Sequence, residues 1–464
     1  MQTVPADTVS LATVVVDRLR AGFDTGRTRP LAWRQQQLRR LKALLVEHEK
    51  DLLAALAADL GKPRVEAWAT DLGIVVSEID HTLRRLKRWT KPEKVRLPLA
   101  QRPGRARVYR EPLGVVLVIA PWNYPVHLAL LPMMGAIAAG NCVVGKPSEL
   151  AAHTSATLAR LVPQYLDPDG VAIVEGGVAE TESLLEQRFD HIFYTGNGRV
   201  GRLVMEAAAK QLMPVTLELG GKSPVIVADD ADLDVAARRI AWGKFLNAGQ
   251  TCVAPDYALV ARGVREPLVE RIARSVSEFY GADPKASPDY ARIVNERHFR
   301  RLEALLTDGT PAVGGETDPA QRYIAPTVLE HVRLDAPVMA DEIFGPLLPI
   351  IPVSGVDEAI GFVNARAHPL ALYLFSRSET VQERVLTGTT SGGVGVNATV
   401  LQTAVPDLPF GGVGGSGMGA YHGRASFETF SHRKAVLAKS TRVDPRLAYP
   451  PYSRRKERWL RRLL

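Results

Sequence analysis

The sequence predicts an α/β protein built on a doubly wound parallel sheet, with a second α/β unit following it. Three observations carry this. From Gly114 onward short apolar runs alternate with helical stretches: strands at 115–119, 141–144, 171–174 and 191–194, helices near 126–139, 150–165, 179–187 and 198–211. The rhythm resumes after Glu218, with strand-like runs at 224–228, 257–260, 347–352 and 370–375 and helices near 232–247 and 265–280. A chain of 464 residues is also too long for one core and divides into two or three domains.

The remaining elements follow from spacing and punctuation. Residues 8–60 read as two helices separated by Thr25-Gly-Arg-Thr-Arg-Pro30, the second carrying Leu38, Leu41, Leu45, Leu52, Leu53 and Leu56 at helical spacing. A third helix follows over about 64–90. Pro92, Pro98, Pro103 and Gly104 then mark an extended, basic hairpin. Residues 114–145 contain no Asp, Glu, Lys or Arg, yet Pro121, Pro125, Pro132 and Gly140-Asn141 break them. They read as a buried strand, helix and second strand, not as the ~20 unbroken apolar residues of a membrane span. Residues 392–397 and 411–419 are backbone-dominated.

Composition narrows the class. Apolar residues are 46% and charged residues 23%, ordinary for a soluble enzyme. Two cysteines cannot build a disulfide framework, which points to a reducing, cytoplasmic compartment. The apolar run Leu11–Val16 is short and ends at Asp17, unlike a secretory signal. The net charge of +8 is uneven: eleven Lys/Arg against one acid over 84–110, and six against one over 453–464. Such blocks suit nucleic acid or anionic lipid. No aromatic stacking series or nucleic-acid motif accompanies them, so a solvated hairpin and tail are favoured and no nucleic-acid partner is expected. No zinc-ligand spacing and no nucleophile elbow appear, and no metal is expected.

Chemistry concentrates around Cys252, in Phe245-Leu-Asn-Ala-Gly-Gln-Thr-Cys252-Val-Ala-Pro-Asp-Tyr257. A thiol beside a glycine-containing turn suits covalent catalysis; taken alone it is as readily a small core residue. Three further segments are Ala120-Pro-Trp-Asn123-Tyr-Pro125, Gly145-Lys146-Pro-Ser-Glu149 and Leu217-Glu218-Leu-Gly-Gly-Lys-Ser-Pro224. With the cysteine segment, in this order, they resemble the aldehyde dehydrogenase superfamily. The Cys-x-Ala-Pro-Asp-Tyr ending resembles its class 3 branch of fatty, aromatic and coniferyl aldehyde enzymes. The resemblance runs from about Arg27 to about Pro451.

The resemblance implies a Rossmann-type NAD(P)-binding domain over 1–90 and 114–218 and an α/β catalytic domain over 219–411. It implies a β bridging and oligomerisation element over 91–113 and 412–442, leaving a basic tail over 443–464. Cys252 is the implied nucleophile; Cys142, in an apolar strand, reads as core. Asn123, with the backbone N–H of Cys252, is the implied oxyanion donor, and a neutral amide stabilises the oxyanion without trapping the product carboxylate. Glu218 is the implied base for thioester hydrolysis, its apolar neighbours raising its pKa toward neutrality. Lys146 and Glu149 match the pair at the adenosine ribose. Gly196-Asn197-Gly-Arg-Val-Gly201 is a G-x-G-x-x-G that follows the fourth strand, not the first, with Asn197 where the family usually has serine. Trp122, Leu219 and Gly220 adjoin the cofactor, and Glu342 and Phe344 match the segment holding the nicotinamide ribose. Tyr124 and Asn397 are expected in the substrate pocket, with Trp68 and Trp242 as further candidates.

The expected activity is oxidation of a medium- or long-chain aliphatic or aromatic aldehyde by NAD or NADP, in a homodimer. Alternatives are a semialdehyde or coenzyme-A-acylating enzyme of the same family, a non-redox cysteine acyltransferase, and a lipid- or nucleic-acid-associated protein without catalysis. An intact Glu218 favours water as acyl acceptor. Trp459, Leu460, Leu463 and Leu464 would share one face of a short basic helix, a candidate for weak peripheral contact with a membrane surface.

Overall fold

The computed structural model describes residues 10–444 and 446–463. Helices α1 (Leu11–Asp24), α2 (Leu31–Glu47), α3 (Glu49–Leu60), α4 (Arg64–Ala67) and α5 (Ile74–Trp89) open the chain, with a π-helical turn, Trp68–Gly73, between the last two. The expected second helix is therefore two, broken at His48, whose backbone leaves helical geometry (φ −107°, ψ 24°). The expected third helix is interrupted by the π turn, which rotates Asp71 inward; its side chain is fully buried.

A hairpin, β1 (Glu93–Val95) and β2 (Gly104–Pro112), leads into strands β3 (Val115–Ile119), β4 (Cys142–Lys146), β5 (Val171–Ile173), β6 (His191–Thr195) and β7 (Val215–Glu218), with α6 (His127–Ala139), α7 (Ala152–Tyr165), α8 (Val178–Leu185) and α9 (Gly198–Ala209) between them. These five strands are parallel, in the order β7-β6-β3-β4-β5. The period of two is plain in β3: Val116 and Val118 face a core shared with α2, α3, α5, α6 and α7, while Val115, Leu117 and Ile119 face one shared with α1, α8 and α9. The sheet is thus wound on both faces, and its order reverses between β3 and β6. Ligands of such sheets bind at that reversal, outside the carboxyl ends of the strands.

The second unit comprises β8 (Pro224–Val227), α10 (Leu233–Phe245), β9 (Tyr257–Ala261), α11 (Arg265–Tyr280), α12 (Glu296–Leu305) and β10 (Thr310–Val313), then a short ladder of β11 (Thr317–Asp318) and β12 (Tyr323–Ile324). It continues with β13 (Thr327–Glu330), α13 (Pro337–Ala340), β14 (Leu347–Val353), α14 (Val356–Asn364), β15 (Ala371–Phe375), α15 (Glu379–Gly388) and β16 (Gly393–Val396). The sheet order is β10-β13-β14-β9-β8-β15-β16, with β10 alone antiparallel.

The segment 412–442 divides between two places. β17 (Gly417–Met418) pairs antiparallel with β7, placing Gly417 opposite Glu218, and α16 (Gly423–Thr429) packs on α6 and α5. Only β18 (Ser431–Lys439) joins the hairpin, in a three-stranded sheet ordered β1-β2-β18. Beyond it lies α17 (Arg454–Leu463). No described helix is long and apolar enough to cross a membrane.

Phe430, fully buried against Phe193 and His191, locks 412–430 onto the first sheet. Phe430→Ala is expected to destabilise that unit by about 3–5 kcal/mol, read as an earlier first transition in denaturant unfolding followed by tryptophan fluorescence.

Candidate active site

The carboxyl ends of the first sheet converge where its strand order reverses. Trp122 and Asn123 follow β3, Lys146 ends β4, Thr195 ends β6 and is followed by Gly196 and Asn197, and Glu218 ends β7. Cys252 comes from the second unit, in the loop between α10 and β9. Asn247, Ala248 and Gly249 there have φ of 53°, 50° and 74°, three consecutive left-handed residues. Such backbone is strained at the two non-glycine positions. At Gly249 a Cβ would sit 2.2 Å from the carbonyl oxygen of Gly345, so glycine is required for the two loops to touch.

Hydrogen bonds hold the turn in place. Asn247 N–H donates to Glu66 Oε1 (2.9 Å), and Gln250 Nε2 donates to the carbonyls of Asn247 (2.9 Å) and Arg292 (3.0 Å). Beyond Cys252, Asp256 Oδ1 accepts from Ile343 N–H (3.0 Å), while Lys222 Nζ donates to the carbonyls of Val338 (2.8 Å) and Asp341 (2.9 Å). The cysteine loop and the loop carrying Glu342 and Phe344 are thereby one construction.

Cys252 and Glu218 line the same cavity, about 320 Å³ in volume. Its wall is chiefly apolar, including Ile74, Leu128, Trp242, Leu246, Val400 and Phe410. Both Glu218 oxygens are buried without a hydrogen-bond partner among the described residues, and desolvation holds the carboxyl pKa well above 4.5. The Cys252 thiol is pushed up from 9.0, first by burial and then by the Glu342 and Glu218 carboxyls. Cys142 is buried in β4, its thiol raised to about 12 chiefly by burial.

Tyr124 and Trp242 line the cavity, and Tyr124 Oη shares a 2.6 Å hydrogen bond with Thr251 Oγ1. Asn123 is buried just behind them. One N–H of its amide donates to the Gln250 carbonyl (3.0 Å), leaving a second N–H to give. Two expectations are corrected. Asn397 is not a lining residue: its amide accepts from Ser376 N–H (3.0 Å) and donates to Ser376 carbonyl (2.9 Å), fixing a left-handed residue at φ 52°. Trp68 is half exposed, with its indole N–H on Glu49 (3.1 Å), away from the cavity.

Sequence reasoning missed the polar end of the cavity. Glu78, His127 and His422 line it, with His422 Nδ1 3.0 Å from Glu78 Oε1 and the two imidazole centroids 6.1 Å apart. Burial, with His422 and Lys62 nearby, lowers the His127 pKa to about 3, so its ring is neutral. A signal existed for Glu78. It falls at a core-facing position of α5 beside Val75, Ile79 and Thr82.

A dinucleotide fits the residues beyond the cavity. Lys146 is buried, with Nζ on the carbonyls of Pro147 (3.0 Å) and Gly176 (2.6 Å) and 3.3 Å from Glu149 Oε2. Asn197 caps α9, its Oδ1 accepting from Val200 N–H (3.0 Å) and leaving earlier N–H groups of the helix for an anion. Gly196 N–H binds the Glu218 carbonyl (2.9 Å), and a Cβ there would meet the Tyr194 hydroxyl at 2.2 Å. Gly201 lies under Leu219, whose side chain would be 3.0 Å from an added Cβ. Gly220 is overlain by the Glu342 carboxyl. Glu342 Oε1 is buried and has no hydrogen-bond partner among the described residues, and burial with Asp256 lifts its pKa to about 8. Phe344, at φ 48°, meets Trp122 edge-on at 5.3 Å. An orphaned acceptor of this kind matches a ribose hydroxyl.

Known proteins share this construction. The profile of the Aldehyde dehydrogenase family matches residues 1–436. Aldehyde dehydrogenase family 3 member A2 of Mus musculus is 53% identical over 444 residues, covering 95% of this chain and 92% of that protein. The dimeric NADP-preferring aldehyde dehydrogenase of Rattus norvegicus is 50% identical, covering 94% and 97%. A substrate-bound AldH structure from Staphylococcus aureus superposes with a TM-score of 0.96 at 44% identity, covering 98% and 99% of the two chains. The chain belongs to the aldehyde dehydrogenase family, and it is an NAD(P)-dependent enzyme that oxidises an aldehyde to the acid.

Proposed function

We propose that Cys252 is the nucleophile, that Asn123 and the Cys252 N–H hold the carbonyl oxygen, and that Glu218 is the base for hydrolysis. The observation that carries this reading is a carboxyl group buried without a hydrogen-bond partner among the described residues, in the cavity that Cys252 also lines. Cys252 Sγ adds to the aldehyde carbon, and the oxygen takes up negative charge opposite the amide of Asn123. Fixed donors at such a point are worth about 3 kcal/mol. The bound nicotinamide supplies a hydride acceptor and a positive charge that favours the thiolate. Loss of the aldehyde hydrogen leaves a thioester on Cys252. Glu218 then takes a proton from water, the water oxygen bonds to the thioester carbon, and the carbon–sulfur bond breaks as the proton passes from Glu218 to the leaving sulfur, giving the acid, the thiol and the free carboxylate.

On this reading Lys146 and Glu149 hold the adenosine ribose, Asn197 and the start of α9 the pyrophosphate, and Glu342 and Phe344 the nicotinamide side, with Trp122, Leu219 and Gly220 between. Domain 1–90 with 114–218 then binds the cofactor and 219–411 carries the nucleophile. Glu149 is half exposed and held only by its 3.3 Å approach to Lys146. It can turn aside for a 2′-phosphate, so both NAD and NADP serve. The apolar cavity favours medium- or long-chain aliphatic and aromatic aldehydes. The sheet β1-β2-β18, with Val95 and Leu437 exposed, joins two copies, as the dimeric relative's name suggests for that protein. The compartment is the cytoplasm.

Glu218→Gln is expected to retain the first burst of hydride transfer and slow the following steady state at least about 100-fold. Loss of the burst itself would mean that Glu218 acts before hydrolysis. In the wild-type protein the base must be deprotonated and its pKa lies above 4.5. Steady-state turnover should therefore fall on acidification at a pH above the ordinary carboxylate range, and a profile flat down to that range would contradict the assignment.

The tail adds a membrane-facing proposal. α17 carries Arg454, Arg455, Lys456, Arg458, Arg461 and Arg462 around a half-exposed Trp459; Leu464 and the side chain of Leu463 lie outside the described residues. It rests on an anionic surface and biases the enzyme toward long-chain aldehydes. Deleting 443–464 should lower sedimentation with anionic vesicles and raise KM for long-chain aldehydes, with benzaldehyde kinetics unchanged. Identical behaviour of the truncated protein would overturn this.

A further inference from the structure

Behind Asn123 lies a charged pair that the reaction as described does not use. Gly61, left-handed at φ 59°, ends α3, and the turn before α4 sends Lys62 inward. Its side chain and that of Asp71, on the π-helical turn, are both fully buried, 2.8 Å apart. Removing a charge from water costs several kcal/mol that pairing alone rarely returns, so what else the pair holds is informative.

Lys62 Nζ donates to the Asn123 carbonyl (3.1 Å) and lies 3.9 Å above the centre of the Tyr124 ring. Asp71 Oδ1 accepts from Val126 and His127 N–H (both 3.2 Å), the entry to α6. The Asn123 carbonyl takes a second donor, Asn247 Nδ2 (2.9 Å), which also reaches the Gln250 carbonyl (3.2 Å). That same carbonyl receives the Asn123 amide (3.0 Å). Three separate stretches, 61–71, 123–127 and 247–252, therefore meet at the Asn123 backbone, and Lys62 supplies the positive charge there. The Asn123 amide reaches the carbonyl oxygen of a substrate only if that backbone stays still.

We propose that Lys62, through Asn123, is a positioning residue for aldehyde addition: paired with Asp71, it clamps the Asn123 carbonyl and the Tyr124 ring so that the Asn123 amide faces the oxygen of the aldehyde attacked by Cys252. This rests on the role of Asn123 proposed above. Misplacement of a reacting group by about an ångström costs on the order of 100-fold, so loss of the clamp lowers kcat more than KM.

The test is a double-mutant cycle. Lys62→Met with Asp71→Asn removes both charges, while the amide oxygen introduced by the second change can still accept from the α6 N–H groups. It should lower kcat about 10- to 100-fold and leave nucleotide affinity unchanged. In an Asn123→Ala background the same pair of changes should cost less than about twofold further. Equal losses in both backgrounds, or none in either, would overturn the proposal. Asn123→Ala alone without effect would instead overturn the role of Asn123. If the neutral pair does not fold, Lys62→Arg, which keeps the charge opposite Asp71 but replaces the single Nζ donor to the Asn123 carbonyl by a planar fork, takes its place: kcat should fall only where Asn123 is present, and no loss, or equal loss in both backgrounds, overturns the proposal.

Discussion

A buried carboxyl with no hydrogen-bond partner among the described residues is the constraint on which the rest of this structure turns. Leaving such a group unpaired costs of order 1–3 kcal/mol even when it is neutral, and far more when it is charged. Glu218 bears that cost at the end of β7, between β6 and β17, with Thr195 and Gly417 as its register partners. Its backbone is fully used in the sheet while its side chain is given nothing. Gly417 permits this close pairing: at φ 143° an added Cβ would meet the Leu217 carbonyl at 2.2 Å. The apolar lining contributed by α5, α6, α10 and the 400–410 segment then keeps the carboxyl in a medium where its proton is held tightly.

The second unit completes what the first leaves open. The three left-handed residues before Cys252 exist because the Glu342–Phe344 loop must pass against Gly249. The same contact brings the Glu342 carboxyl near enough to help hold the thiol protonated. Glu218 acts in the same sense, so burial and two carboxyls together disfavour the Cys252 thiolate. On the mechanism proposed here, positive charge arriving beside it is what releases the thiolate.

Strands β3 to β6 of the first sheet and β8, β9, β14 and β15 of the second were legible in the sequence because each is a short apolar run, whereas β7, β10, β13, β16 and β17 were not, their two to four residues being mixed with Thr, Glu, Pro or Gly; the G-x-G-x-x-G and Cys252 segments were legible because glycine marks close backbone approach. Less visible were α12, in which Phe299 and Leu302 are the only fully buried residues of a heavily charged helix, and α14 and α15, whose buried faces are Ala359 and Val363 and the single Val385. The break at His48 and the π turn at Trp68–Gly73 lie inside continuous helical spacing, and only tertiary contacts impose them. Cys252, Glu218 and Tyr124, each singled out by its segment, line one cavity. Asn397 could not be placed from its segment, because spacing does not say whether an amide faces a cavity or binds Ser376. Glu78, His127 and His422 meet from positions 78 to 422 in the chain, a convergence that periodicity cannot reveal.

The central claim is that the substrate passes through a thioester on Cys252. Acid-quenching the enzyme during turnover of a medium-chain aldehyde, followed by peptide mass spectrometry, tests it most directly. The account predicts the substrate's acyl group on the peptide containing Cys252, accumulating further when Glu218 is replaced by glutamine. Turnover with no adduct in either protein, or an adduct on Cys142, would contradict it.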